Sequence, residues 1–262
     1  MPPAPKTIFI TGAASGIGRA AAKLFSERGW FVGLYDVNEA GLAETERDIP
    51  APQRTRGVFD VRDAAAWKQA VAQFGQASGG RMHVLFNNAG IGRHGCFEDV
   101  SEADSALMID INLKGVVNGI YAALPLLIAT KGRVINTASA ASLYGPPQLA
   151  IYGATKFAVR GLTEALDIEF ARHGVRAVCL IPWFVETPIL DMPSAGSNRV
   201  MRDALNDLKV YPVSLAAEGV WKAAHTDDLT VIVGQAAKDL NFAARFMPGA
   251  VRRRLKKNLM DR

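Results

Sequence analysis

Seven short apolar runs, each separated from the next by a stretch with helical spacing, limit the folds open to this chain. The runs are K-T-I-F-I-T from Lys6, W-F-V-G-L-Y from Trp30, T-R-G-V-F from Thr55 and M-H-V-L-F from Met82. They continue with R-V-I-N-T from Arg133, V-R-A-V-C-L-I from Val175 and T-V-I-V from Thr230. Strands joined by helical crossovers predict a parallel sheet covered on both faces. No linker, repeat or low-complexity segment breaks the pattern, and 262 residues are enough for one large core. The expectation is a single α/β domain over residues 1–244, a doubly wound parallel sheet of about seven strands with helices on both faces.

The first run passes directly into Gly12-Ala-Ala-Ser15-Gly16-Ile17-Gly18 and then a helical pattern. Strand, glycine turn and helix in that order make an anion site. Glycines let the backbone approach a pyrophosphate, and the helix N-terminus offers unpaired N–H groups and a positive dipole end. The spacing is G-x-x-x-G-x-G, so the commoner G-x-G-x-x-G fingerprint is not matched. Asp36 ends the second run, 24 residues after Gly12, where an acid can hold both hydroxyls of a ribose and repel a 2′-phosphate. That predicts NAD over NADP. Asp36 and Asn38 are equally placed to cap the helix that follows, and the two roles are compatible.

Tyr152 and Lys156 stand four apart in a segment with helical spacing, so phenol and ammonium share one side. A free tyrosine titrates near pH 10, and a nearby positive charge is expected to bring it toward working pH. Such a pair takes a proton from an alcohol or returns one to a carbonyl. By itself the Tyr-x-x-x-Lys spacing is common.

Taken together, T-G-A-A-S-G-I-G, Asp36, Asp60-Val61, N-N-A-G from Asn87, Asn112, Ser139 and Y-x-x-x-K resemble the short-chain dehydrogenase/reductase family in its single-domain branch. The resemblance runs from about Lys6 to Thr187 and implies a Rossmann-like fold. It implies that Ser139 bonds the substrate oxygen, that Tyr152 is the acid/base, and that Lys156 tunes Tyr152 and binds the nicotinamide ribose. Asn112 would hold a water continuing the proton relay. Gly12, Ser15, Gly16, Ile17, Gly18 and Asp36 would hold the dinucleotide, with Asp60, Val61, Asn88 and Gly90 on the adenine-ribose side. Val185 and Thr187 match positions that hold the nicotinamide carboxamide. No metal is implied. The activity implied is hydride transfer between NAD(H) and a secondary alcohol/ketone pair. A non-catalytic dinucleotide-binding sensor or scaffold stands as one rival, and an NADP-preferring carbonyl reductase, using Arg19 or Arg62, as another.

Three features depart from the family pattern. Trp183 stands where a glycine is usual, either narrowing an apolar or aromatic substrate pocket or packing outward. Residues 188–212 are polar and poorly periodic, as expected of a mobile substrate lid; Arg93, His94 and Cys96 face it as loop residues rather than site residues. Residues 245–262 carry seven bases and one acid, a local charge of +6 against +5 for the whole chain. The high pI therefore belongs to the tail and gives no support for nucleic-acid binding. The tail interleaves bases with Phe246, Met247, Val251, Leu255 and Leu259, like a basic amphipathic helix broken at Pro248-Gly249. It could pack as a solvated end-helix, lie on an anionic membrane surface, bind an acidic partner or fold over the substrate cleft.

Cys96 and Cys179 form no C-x-x-C and read as reduced thiols of a cytoplasmic protein, with Cys179 in the core. No apolar leader precedes the first strand. The most apolar stretch, Gly115 to Thr130, is interrupted by Asn118 and Pro125 and reads as a helix buried against the core and a second subunit. A homodimer or homotetramer is expected, with a small alcohol or ketone as the other partner.

Overall fold

The computed structural model describes residues 4–196, 198–205 and 208–260. The first half alternates β1 (Thr7–Thr11), α1 (Gly16–Glu27), β2 (Phe31–Asp36), α2 (Glu39–Arg47), β3 (Arg54–Val58), α3 (Ala64–Ala77) and β4 (Val84–Asn87). The second half continues with α4 (Glu102–Ile109), α5 (Gly115–Thr130), β5 (Arg133–Thr137), α6 (Ala150–Phe170) and β6 (Arg176–Pro182). It ends with α7 (Val213–Ala223), β7 (Thr230–Val233), α8 (Gln235–Phe246) and α9 (Pro248–Met260). All seven strands pair in parallel in the order β3-β2-β1-β4-β5-β6-β7. The seven apolar runs are these seven strands.

Alternation along β1 shows why both faces need cover. Ile8 and Ile10 face a cluster containing Ala22 and Phe25 of α1, Leu42 of α2 and Val220 of α7. Phe9, between them, faces Trp67 and Phe74 of α3, Ile120 of α5 and Val159 of α6. Side chains alternate across a strand, so each face acquires its own helical layer. Phe9 stacks on Tyr35 at 4.0 Å between ring centroids, and the Trp67 indole N–H donates to the Val61 carbonyl at 3.0 Å. Cys179 is fully buried in the second layer, where burial pushes its thiol up to about 12. It is an inert core residue.

Helices α4 and α5 are one continuous helix through a π turn at Asp110–Lys114. Gly115–Thr130 is a helix, as expected, and Asn118 and Pro125 lie within it; Asn118 donates to the Val61 and Arg62 carbonyls, both at 3.2 Å. By length and composition Glu102–Thr130 would cross a membrane. Its inner face, however, supplies Val116, Ile120, Ala123 and Leu127 to the core, so it serves as one layer of the sandwich.

The sheet reverses order between β1 and β4, and loops leaving their C-terminal ends diverge there. A parallel sheet places its ligand crevice at such a switch point. The described residues of 188–212 cover it with two 3₁₀ turns, Pro188–Asp191 and Met201–Ala204; Leu190 and Met201 within them, and Met192 and Leu205 just after them, pack with Leu149 into a separate small core. Arg202 ties the cover together through Glu186 at 2.7 Å and Asp191 at 2.8 Å. Ser197, Asn206 and Asp207 of this segment, and Asp261 and Arg262 of the tail, lie outside the described residues. The expected end of the main domain at 244 falls inside α8.

Candidate active site

Ser15 precedes α1 as its N-cap but makes no side-chain capping bond, and no acid occupies the first turn. The N-terminal amides of α1 and its dipole are thus left to an anion. Gly12 adopts φ +68° and Gly16 φ +49°, both in the left-handed region. A Cβ on Gly18 would lie 2.1 Å from the Gly12 carbonyl oxygen, so the loop closes on the helix only without a side chain there. Asn88 braces the turn, its amide donating to the Thr11 carbonyl at 3.1 Å and the Gly12 carbonyl at 3.4 Å.

Asp36 projects from the end of β2. One carboxylate oxygen accepts from the Ala14 amide at 3.0 Å and the other from the Asn38 amide at 3.0 Å. The cap of α2 is Asn38, bonded to the Gly41 amide, and not Asp36. Asp60 holds Arg62 through two bonds of 2.8 and 2.6 Å, and this guanidinium keeps its carboxyl below the usual range. Arg19 is engaged by Glu44, Thr45 and the Ala14 carbonyl.

At the inner end of the crevice, α6 brings Tyr152 and Lys156 against Ser139 at the end of β5. The Ser139 hydroxyl, which accepts from the Ala141 amide at 3.2 Å, lines the same wall as the Tyr152 phenol. Lys156 is buried, donates to the Thr137 carbonyl at 2.8 Å, and places Nζ 5.7 Å from the centre of the Tyr152 ring. Burial raises the Tyr152 phenol above its ordinary value, with the Ser139 hydrogen bond acting in the opposite direction. The lowering expected from Lys156 is therefore corrected: i, i+4 spacing sets which side two groups share, but burial sets the sign here. The Lys156 ammonium is itself pushed down to about 8 by burial. Tyr152 is a neutral phenol beside a largely protonated amine at neutral pH.

Asn112 sits in the π turn, fully buried. Its carbonyl oxygen accepts from the Ile91 amide at 2.9 Å, while its amide donates to the Ile91 carbonyl at 2.9 Å and Thr155 Oγ1 at 3.2 Å. It lies one layer beneath the cleft and pins the loop after β4 to α6. An Asn112→Ala variant leaves the Ile91 backbone groups unpaired in the interior, so urea unfolding should show a loss of about 3 kcal/mol.

These groups open into one cleft of about 1370 Å³. Its wall contains Gly12, Ser15, Gly16, Ile17, Asp36 and Asp60, with Val61, Asn88, Gly90, Ser139, Tyr152, Lys156, Val185 and Thr187. Gly18 and Asn112 support that wall from behind. Thr187 approaches the glycine turn, its Cγ2 lying 3.1 Å from where a Gly16 Cβ would be. Trp183 lines the cleft, edge-on to Phe184 at 5.3 Å, which excludes the outward orientation; its buried indole N–H has no partner among the described residues.

Other wall residues are ones that the sequence reading left off the site or held among alternatives. Arg93 and His94 line the cleft, and His94 Nδ1 lies 2.9 Å from Ser194 Oγ, joining the loop after β4 to the cover. The tail also reaches the site: Leu240 and Ala243 of α8 and Val251 and Leu255 of α9 line it. Their i, i+3, i+4 spacing was visible, but what that stripe packs against was not. Among the described residues no group of acids, histidines and cysteines could hold a metal ion.

A family model described as short chain dehydrogenase matches residues 6–196. The chain is 38% identical over 243 residues to the 2,5-dichloro-2,5-cyclohexadiene-1,4-diol dehydrogenase LinX of Sphingobium indicum, covering 88% of this chain and 93% of that one. It is 34% identical over 257 residues to SadH of Mycobacterium tuberculosis, covering 95% and 93%. A short-chain dehydrogenase/reductase of Burkholderia phymatum, solved in complex with NAD, superposes with a TM-score of 0.84 at 28% identity, covering 95% of each chain.

Proposed function

Because the chain belongs to the short-chain dehydrogenase/reductase family of oxidoreductases, we propose that it transfers hydride between NAD(H) and a secondary alcohol or ketone, with Tyr152 as the general acid/base. One observation carries the reading: Ser139, Tyr152 and Lys156 meet at the inner end of a cleft whose other end is a glycine cradle closed by Asp36. The cradle fits a dinucleotide, since the close approach at Gly18 and the left-handed turns at Gly12 and Gly16 leave amides facing the cleft. When bound there, the nicotinamide supplies the hydride acceptor or donor.

The chain's own residues position and move the proton. Ser139 holds the substrate oxygen and stabilises charge as it grows there. In reduction the neutral Tyr152 phenol gives its proton to that oxygen; in oxidation the phenolate removes it. The Lys156 ammonium, fixed by the Thr137 carbonyl, would hold the cofactor ribose. The cover and tail helices exclude water. Trp183, Phe184, Leu190, Met192, Leu240 and Leu255 make an apolar and aromatic wall, which fits a ring-bearing substrate, the class to which the diol named for the Sphingobium relative belongs.

For the cofactor, Asp36 faces the ribose position while Arg19 and Arg62 are both held by acids. Asp36→Ser should reduce NAD preference over NADP by about tenfold to a hundredfold in kcat/KM, because one acid supplies both attraction and exclusion. Unchanged discrimination would remove Asp36 from this role. The reaction itself is tested by following reduced cofactor with a panel of cyclic, aromatic and aliphatic alcohols.

Exposed Tyr121 on α5 and Phe157 and Ile168 on α6 support pairing with a second copy through these helices. Two free cysteines, one buried, fit a reducing compartment, the cytoplasm.

A further inference from the structure

The inner faces of α8 and α9 close the cleft, so their outer faces are left to solvent. On α9 the exposed outer positions are Arg252, Arg253, Lys256 and Lys257, with Met260 at 75% exposure. On α8 they are Lys238 and Arg245, with Phe242 at 58% and Phe246 at 62%, the two rings 4.9 Å apart. None of the four α9 bases enters an ion pair among the described residues. Asp239, the one acid between 235 and 260, lies at the cleft edge and bonds Gln235 at 2.8 Å.

We propose that this outer face docks the protein on an anionic membrane surface, as a peripheral contact and not a span. Charge complementarity selects the occupant. A second copy across a two-fold axis would set this basic face against itself, and like charges would oppose the contact. An anionic bilayer attracts each base within a Debye length, and exposed Phe242, Phe246 and Met247 enter the headgroup region as shallow anchors. Neither element suffices alone; bases recruit, and the apolar side chains hold. The docking stands independently of the reaction, because none of these side chains belongs to the catalytic set. Its consequence for function is geometric: the helices that wall the cleft would lie between the active site and the lipid.

The test is co-sedimentation of the full chain with phosphatidylcholine vesicles, with and without phosphatidylserine. The expected result is binding to the anionic vesicles only, weakening as salt is raised. A variant with Arg252→Gln, Arg253→Gln, Lys256→Gln and Lys257→Gln should bind about a hundredfold to a thousandfold less. Phe242→Ser with Phe246→Ser should bind more weakly at unchanged charge, and thermal unfolding of both variants would verify that they fold. Absence of anionic-vesicle binding by the parent at low salt would overturn the proposal, as would equal binding by the glutamine variant. So would preference for an acidic polypeptide over vesicles, or dissociation of an oligomer by the glutamine variant without a change in vesicle binding.

Discussion

Tyr152→Phe lowers kcat by about 10²- to 10⁴-fold while NAD affinity stays within about twofold. The substitution removes one hydroxyl and nothing else of the ring that packs at the cleft. That hydroxyl lines the cleft with Ser139, and in the proposed reaction it is the group that delivers a proton to the substrate oxygen. Lys156, the neighbouring titratable group, donates instead to the Thr137 carbonyl at 2.8 Å. Cofactor affinity depends on the cradle at the far end of the cleft and is unaffected. Stopped-flow turnover and cofactor fluorescence separate the two quantities. A protein that only senses dinucleotide would show no turnover to lose, and a variant retaining parental kcat would place the proton transfer elsewhere.

Gly18→Ala should abolish useful cofactor binding, raising Kd by about a hundredfold, and destabilise the chain by about 1–3 kcal/mol. The added Cβ would meet the Gly12 carbonyl oxygen at 2.1 Å, its carbon at 2.7 Å and the Asn88 amide at 2.8 Å. Two of those atoms are backbone, so relief must move the turn, and the turn is what presents amides to the pyrophosphate. Asn88 loses its hold on Gly12 in the same movement. Gly161 in α6 is the control: nothing lies within 4 Å of its Cβ position, and Gly161→Ala should stabilise by about 0.5–1 kcal/mol. Calorimetry and titration with NAD read both variants. Equal effects at the two glycines would refute the close-approach explanation.

The strands were legible because a parallel sheet buried on both faces requires uninterrupted apolar runs, and Ile8, Phe9 and Ile10 show each face using its share. The glycine turn was legible for a similar reason: only glycine tolerates the contact at Gly18, and glycine adopts the positive φ at Gly12 and Gly16 without a Cβ penalty. Energetics were less legible. Tyr152 and Lys156 were placed on one side by spacing alone, yet the direction of the phenol's shift depends on burial by segments distant in sequence. Asn112 could be marked as important but not placed beneath the cleft, because the π turn that buries it is a local backbone choice shaped by Ile91 and Thr155. Trp183 had two orientations until Phe184 and the core beside it were in place. The tail's stripe was readable, but its inner surface is the cleft itself, formed in part from elements as distant as the Gly12 turn.

The most direct test of the central claim is initial-rate absorbance of reduced cofactor with purified protein, NAD or NADP, and a panel of secondary alcohols dominated by cyclic and aromatic compounds. The account predicts turnover with NAD on that class and a kcat/KM with NADP lower by at least about tenfold. Turnover that prefers NADP, or clear NAD binding with no turnover on any alcohol or ketone supplied, would contradict it.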